Sequence, residues 1–215
     1  MLTLKFKDNK YLEKLGYFSF LAGIFFLCSS LFLGALFLLP ALIIGGILQY
    51  KQKSFFKDKW NCVFFLCGIL ILINAILQRF ILTNNFQEIW DPNLTIIGMA
   101  NWIPFFCFFW IFQFYLNTPS KRRHFVLSLI SGTFPLIISG FGQYFFDWTG
   151  PFKTLNSLII WYQRPITVPG GLSGLFSNQN YAGSWLNFVW PFCLALVFEK
   201  TQNIFKKSFI ICILF

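Results

Sequence analysis

Charge is what this chain has least of. Only 11% of its 215 residues are charged, seven are acidic, and His124 is the single histidine. A soluble domain carries roughly 25% charge, so this chain cannot cover a large core with a polar skin. Ligands for a metal are missing too. The six cysteines, Cys28, Cys62, Cys67, Cys107, Cys193 and Cys212, all fall in apolar runs and form no C-x-x-C pair. They read as small apolar packing residues, with neither disulfide nor metal nor other cofactor implied. No Asp, Glu or His lies deep in an apolar run, and proton-coupled transporters normally place ionisable relays there. Nucleic-acid binding is excluded in spite of a net charge of +10, because there is no basic soluble domain and no aromatic–basic sheet pattern to carry it.

What is present is hydrocarbon. The chain is 57% hydrophobic and 22% aromatic, with 32 phenylalanines. Its apolar runs are continuous rather than alternating, which favours membrane-crossing helices over barrel strands. Trp60–Phe80, Ile96–Leu116 and Phe125–Phe145 are each 21 residues long, and Tyr181–Phe198 is a shorter run of 18. Gly16–Tyr50 is 35 residues, about 52 Å of helix, too long for one crossing of a core about 30 Å thick. Two crossings broken near Ser29, Ser30 or Gly34 fit better, the second kinked at Pro40. A further apolar run opens at Ser208 and has eight residues, about 12 Å of helix. The expected fold class is therefore all-α: one polytopic transmembrane helical bundle over residues 1–215, with about six complete spans and a truncated seventh. On this reading the chain is the N-terminal part of a longer protein and inactive on its own.

The cations follow the same map. With the N-terminus in the cytoplasm, the inside segments hold Lys5, Lys7, Lys10 and Lys14, then Lys51, Lys53, Lys57 and Lys59, then the loop Lys121–Arg123, then Lys200, Lys206 and Lys207. That is 14 of 17 cations, with Arg79, Lys153 and Arg164 outside, as the positive-inside rule requires. The lysine-rich start resembles a signal peptide, but its apolar run is too long and lacks a small-x-small cleavage site, so it reads as a retained signal anchor. Polar residues within the spans are Asn74, Gln78, Asn101, Gln113, Gln143 and Asn187. They are expected to bond to neighbouring helices, with a substrate path as the other use.

The outer face carries the candidate chemistry. One outer loop, Ile81–Thr95, holds Glu88, Trp90 and Asp91; another, Asp147–Asn180, has 34 residues, long for a connector. Within it Leu155–Gln163 is apolar and ends in Trp161-Tyr162, a composition that predicts a short helix at the headgroup level. Arg164 follows at once. An arginine just outside the bilayer suits a lipid-linked diphosphate, which its fork grips with two parallel hydrogen bonds; snorkelling to headgroups is the plain alternative. Asn178 and Asn180 precede the helix expected from Tyr181, where an asparagine caps the helix or contacts a ligand at its N-terminus.

Gly170 to Tyr181 reads G-G-L-S-G-L-F-S-N-Q-N-Y. It resembles the G-x-F-x-N-x-N-Y run that opens the conserved domain of the O-antigen ligase and polymerase superfamily, and the similarity extends over residues 170–199. The resemblance implies a polytopic protein of the bacterial inner membrane that transfers a glycan from an undecaprenyl diphosphate carrier to an acceptor hydroxyl. It implies a metal-independent, inverting transfer on the outer face, with arginines holding the diphosphate. Its candidate substrate-binding residues here are Arg164, Ser177, Asn178, Asn180 and Tyr181, beside the outer loop 146–180. No catalytic residue is assigned, since the family's histidine lies in a later outer loop. The partners implied are the lipid bilayer and the lipid-linked glycan. Many relatives carry an arginine closer to the glycine run than Arg164 is. A transporter of the related bicarbonate-uptake-like branch and a non-catalytic membrane remnant are the alternative readings.

Overall fold

The computed structural model describes residues 9–52, 55–80, 92–166 and 170–198, and 78% of these are helical. Six α-helices lie among them: α1 (Asn9–Phe26), α2 (Leu31–Gln52), α3 (Lys59–Phe80), α4 (Pro92–Gln113), α5 (Pro119–Phe145) and α6 (Gln179–Val197). Two short strands, β1 (Phe152–Thr154) and β2 (Ile159–Trp161), precede α6. Four helices, α2 to α5, are long and apolar enough to cross a membrane. That is fewer than the six complete crossings expected. α1 and α6 occupy the expected places with 18 and 19 residues, but Lys10, Glu13 and Lys14 in α1 and the polar opening Gln179-Asn180 of α6 leave them less continuously apolar. The loop residues Glu88, Trp90 and Asp91, the inside cations Lys5, Lys7, Lys53, Lys200, Lys206 and Lys207, and the run from Ser208 with Cys212 lie outside the described residues.

The chain divides into two compact units. One holds residues 9–13 and 42–117: the first residues of α1, the second half of α2, a short 3-10 turn at Phe55–Lys57, α3 and α4. Its helices meet through rings. Phe64 stacks on Phe106 with centroids 5.3 Å apart and meets Phe109 edge-on at 4.6 Å. Gly45 lets Tyr115, fully buried, approach α2: a Cβ there would stand 3.1 Å from the tyrosine ring. Polar side chains join the same elements, as expected of amides among apolar helices. Gln49 Nε2 donates to the Trp110 carbonyl at 3.0 Å, Asn61 Nδ2 to Gln113 Oε1 at 3.3 Å, and Thr95 Oγ1 to Gln78 Oε1 at 3.3 Å. Gln78 also donates to Asn74 at 3.4 Å, whereas Asn101 and Asn187 are exposed.

The other unit holds residues 14–41 and the chain from Thr118 onward. Length arithmetic placed a break near Ser29, Ser30 or Gly34, and it falls at Leu27–Ser30. There Ser30 Oγ caps α2 by accepting from Leu33 N–H at 3.3 Å. Pro40 lies inside α2. The stretch Lys121–Arg123, expected as a loop, is instead the start of α5. Thr118-Pro119 explains this: Thr118 is the N-cap, its side chain accepting from Lys121 N–H, and Pro119 is preset for the first turn. His124, one turn in, hydrogen-bonds with the Tyr17 hydroxyl of α1 at 3.0 Å. Further along, α5 buries Leu129, Gly132, Thr133, Leu136, Ser139, Gly142 and Gln143 on one face. Small residues permit close approach. A Cβ on Gly132 would lie 2.2 Å from the Phe25 carbonyl oxygen of α1.

Candidate functional site

Leu155–Gln163, expected as a short interfacial helix, forms a β-hairpin instead. Phe152 pairs with Trp161, and Thr154 with Ile159. The intervening turn places Leu155, Asn156 and Ser157 at positive φ. Three local features favour strands over a helix. Ile159-Ile160-Trp161 is β-branched and aromatic, Asn156 tolerates the left-handed region, and nine residues are too few to sustain a helix in isolation. The base is closed where Gly150 N–H donates to the Gln163 carbonyl at 2.8 Å. Side-chain space at Gly150 is taken by the hairpin itself, since a Cβ would meet the Tyr162 carbonyl oxygen at 2.7 Å.

Three side chains moor this hairpin and the glycine-rich loop that follows. Trp161 Nε1 donates to the Ser29 carbonyl at 2.7 Å, using a carbonyl freed by the α1–α2 break. Gln163 Nε2 donates to the Ser139 carbonyl at 3.3 Å. Gln143, 1% exposed, is the centre of the arrangement. Its Oε1 accepts from Ser173 N–H at 3.1 Å and Gly174 N–H at 3.0 Å, and its Nε2 donates to Ser173 Oγ at 3.2 Å and to the Arg164 carbonyl. Ser173 Oγ also accepts from Arg164 N–H at 3.0 Å. Gly174 takes φ +53° with Leu136 packed where a side chain would begin. Cys28, Leu136, Leu175 and Ala182 form the apolar floor, with Trp161, Phe176 and Trp185 against it.

Arg164 is consequently fixed by its main chain at both N–H and C=O, while its side chain is exposed. The same loop reaches α6: Gly171 N–H donates to Gln179 Oε1 in the first turn. Asn178 is the N-cap of α6, its Oδ1 accepting from Asn180 N–H at 2.8 Å. Of the candidate residues, Asn178, Asn180 and Tyr181 are exposed, and Ser177 is half-buried. The frame thus holds Arg164 and the Ser177–Tyr181 run as two arms of one loop. Gln143 stood out in the sequence as a polar residue in a span. Its partners did not, because they are main-chain groups and a serine 21 to 31 residues away. Lys153 lies exposed on β1. Chemically the site offers one guanidinium, exposed amides and a helix N-terminus, a set that suits an anion. Among the described residues no cluster of histidine, cysteine and carboxylate side chains is placed to hold a metal.

Compared with known proteins, the chain matches no family model, no curated protein and no solved structure.

Proposed function

We propose that this chain belongs to a membrane glycan ligase or polymerase of the O-antigen ligase type, and that it forms the mouth of the lipid-carrier site. It is read as multi-pass in a bacterial inner membrane, with a cytoplasmic N-terminus and the 146–180 loop on the outer face. The observation that carries the reading is the mooring of Arg164. A long side chain needs a fixed base if it is to grip a diphosphate rather than sweep through solvent, and here both main-chain polar groups of Arg164 are tied to the α5 and Ser173 frame. The N-terminus of α6, entered through Asn178, adds a weaker attraction of about 0.3–1 kcal/mol for an anion.

In this reading Arg164 binds the leaving diphosphate and neutralises charge that develops on it as the glycosidic bond breaks. The Ser177–Tyr181 run borders the same anion, and the exposed Tyr162 and Leu158 of the hairpin face the interface.

Two experiments test the proposal. Orientation is read by labelling with a membrane-impermeant thiol reagent in intact cells: a cysteine at Thr154 reacts from outside and one at Ser120 does not. Role is read by glycan transfer in cells that carry the substitution in the full-length protein. Arg164→Ala and Arg164→Lys both lose at least about tenfold, since lysine keeps the charge but loses the fork, and a charge-assisted bond is worth about 1.5–3 kcal/mol. Full activity of Arg164→Lys assigns the side chain to headgroup snorkelling and removes it from the site.

A further inference from the structure

Two sets of hydrogen bonds fix how the β1–β2 hairpin lies. At its base, Gly150 N–H donates to the Gln163 carbonyl, and Gln163 Nε2 reaches the Ser139 carbonyl near the end of α5. Nearer the tip, Trp161 Nε1 donates to the Ser29 carbonyl in the turn between α1 and α2. Both attachments lie at the ends of helices, α5 and α2, that are long and apolar enough to cross a membrane. The hairpin is therefore held against those helix ends instead of rising freely into water. Side chains mark the same level. Tyr144 in the last turn of α5 and Trp148 just beyond it are exposed, and tyrosine and tryptophan gather where hydrocarbon meets headgroups. Leu31, two residues past Ser29 and the first of α2, is exposed too.

The tip beyond these attachments is apolar. Leu155 and Leu158 are 62% and 55% exposed, and Leu158 N–H closes the turn between them by donating to the Leu155 carbonyl at 3.1 Å. Turn chemistry does not account for Leu155. Its φ is +50°, a region that suits glycine or asparagine and costs energy for leucine. Packing does not account for either leucine, since both side chains stand mostly in the open. Phe152, next to the base, is exposed as well, so apolar surface runs the length of the hairpin. Lys153 is exposed beside it, and its stem is long enough to lie along that surface with the ammonium among phosphates.

We infer that the β1–β2 hairpin is an interfacial membrane anchor: Leu155 and Leu158 insert just below the headgroups of the leaflet that borders the end of α5. The strands, with Lys153 and Thr154, stay at headgroup level within reach of water. Lipid is the occupant because the attachments at Ser29 and Ser139 set the hairpin beside the ends of bilayer-length helices. There the phase next to an exposed side chain is the membrane surface. Moving two leucines out of water offsets the unfavourable φ of the turn. Arg164, one residue past the closure at Gln163, is thereby held at the level of lipid phosphates. Insertion rests on α2 and α5 crossing the bilayer. It is independent of glycan transfer and of which side the loop faces.

An environment-sensitive fluorescent amino acid, placed at one position at a time in the full chain, tests this. The protein is reconstituted in phosphatidylcholine vesicles whose acyl chains carry bromine at a shallow or a deep carbon. A probe at position 155 or 158 is quenched, most by the shallow bromines, at a depth of about 5–10 Å below the headgroup boundary. A probe at position 153 is quenched little. A second variant separates anchoring from folding. Leu155→Asp suits positive φ better than leucine does but brings a charge that hydrocarbon rejects. It leaves the melting temperature in detergent unchanged or raised, and the quenching of a probe at 158 is lost. Unquenched probes at both 155 and 158, quenching at 153 equal to that at 155, strongest quenching by the deep bromines, or a melting temperature lowered by Leu155→Asp would each overturn the inference. Loss or retention of glycan transfer in the Arg164 variants changes none of these readouts.

Discussion

Where α3 meets α4, the contact is made of rings: Phe64 against Phe106 and Phe109, and Phe55 against Trp110. Where α5 carries the hairpin and the glycine loop, it is made of an amide, a serine and main-chain groups, joined through Gln143. Ring contacts have preferred stacked and edge-on geometries, but they leave no polar group unmet where they part, and an apolar gap of about 370 Å³ lies between α3 and α4. A hydrogen-bond network tolerates gaps less well, because a buried polar group left unmet costs about 1–3 kcal/mol. The network also has a job that rings cannot do. Irregular backbone at the edge of a helical bundle exposes N–H and C=O groups, and these must find partners within the protein if water is scarce. Gln143 supplies an acceptor to two such N–H groups and a donor to one carbonyl. Its position at the last turn of α5 puts that amide where the loop passes.

The largest effect expected from this contrast comes from removing the two central amides in turn. Gln143→Leu strands the N–H groups of Ser173 and Gly174 and should cost about 3 kcal/mol or more. Asn61→Leu removes only two donated bonds, at 3.2 and 3.3 Å, and discards an already unpartnered oxygen, so it should cost about 1 kcal/mol. Thermal unfolding in detergent, followed by far-ultraviolet circular dichroism, reads both. Equal losses would mean that the loop network is no more demanding than the ring contact.

Smaller, but opposite in sign, is the pair of glycine substitutions. Gly132→Ala drives a methyl into the Phe25 carbonyl, where a Cβ has 2.2 Å, and backbone cannot swing aside as a side-chain tip can. Overpacking of this kind costs about 1–3 kcal/mol. Gly68→Ala meets only ordinary contact at 3.7 Å and removes a helix-interior glycine, a gain of about 0.5–1 kcal/mol. A lower melting temperature for Gly132→Ala with a higher one for Gly68→Ala supports the contrast. The reverse order would place the tight helix contact on the wrong side of the comparison.

How far the sequence carried these features depends on the range of the physics behind each. The α1–α2 break was legible from length alone, because 35 apolar residues exceed one bilayer crossing, and the serines supplied the cap. The helical class and the places of six helices followed from uninterrupted hydrocarbon, while the number of full crossings depends on the ends, where α1 and α6 turn polar. The start of α5 is masked in the sequence because the charges of Lys121-Arg122-Arg123 have the composition of a loop, while the helix start rests on the short local signal of Thr118-Pro119. The hairpin was missed because Leu155–Gln163 has the composition of an interfacial helix. What makes it a hairpin is closure at Gly150 and the anchoring of Trp161 on Ser29, 132 residues away, which no local pattern reports. In the candidate site, the cap at Asn178 was readable from residue type and position. The mooring of Arg164 was not, since it runs through main-chain atoms.

The smallest effect concerns Asn178, where stability and chemistry are separable. Its side chain caps α6 by accepting from Asn180 N–H, so Asn178→Ala should cost about 1 kcal/mol, while Asn178→Ser and Asn178→Asp keep an N-cap acceptor and cost little. The two capping variants differ in charge. Serine is neutral, whereas aspartate would bring a negative charge to the helix end proposed to border a diphosphate, opposing both Arg164 and the helix dipole. If the Ser177–Tyr181 run borders that anion, Asn178→Asp lowers glycan transfer several-fold at wild-type stability and Asn178→Ser does not. Should Asn178→Asp transfer as well as the wild type, Asn178 is a cap and nothing more. The arm of the loop that faces the anion would then be Arg164 alone.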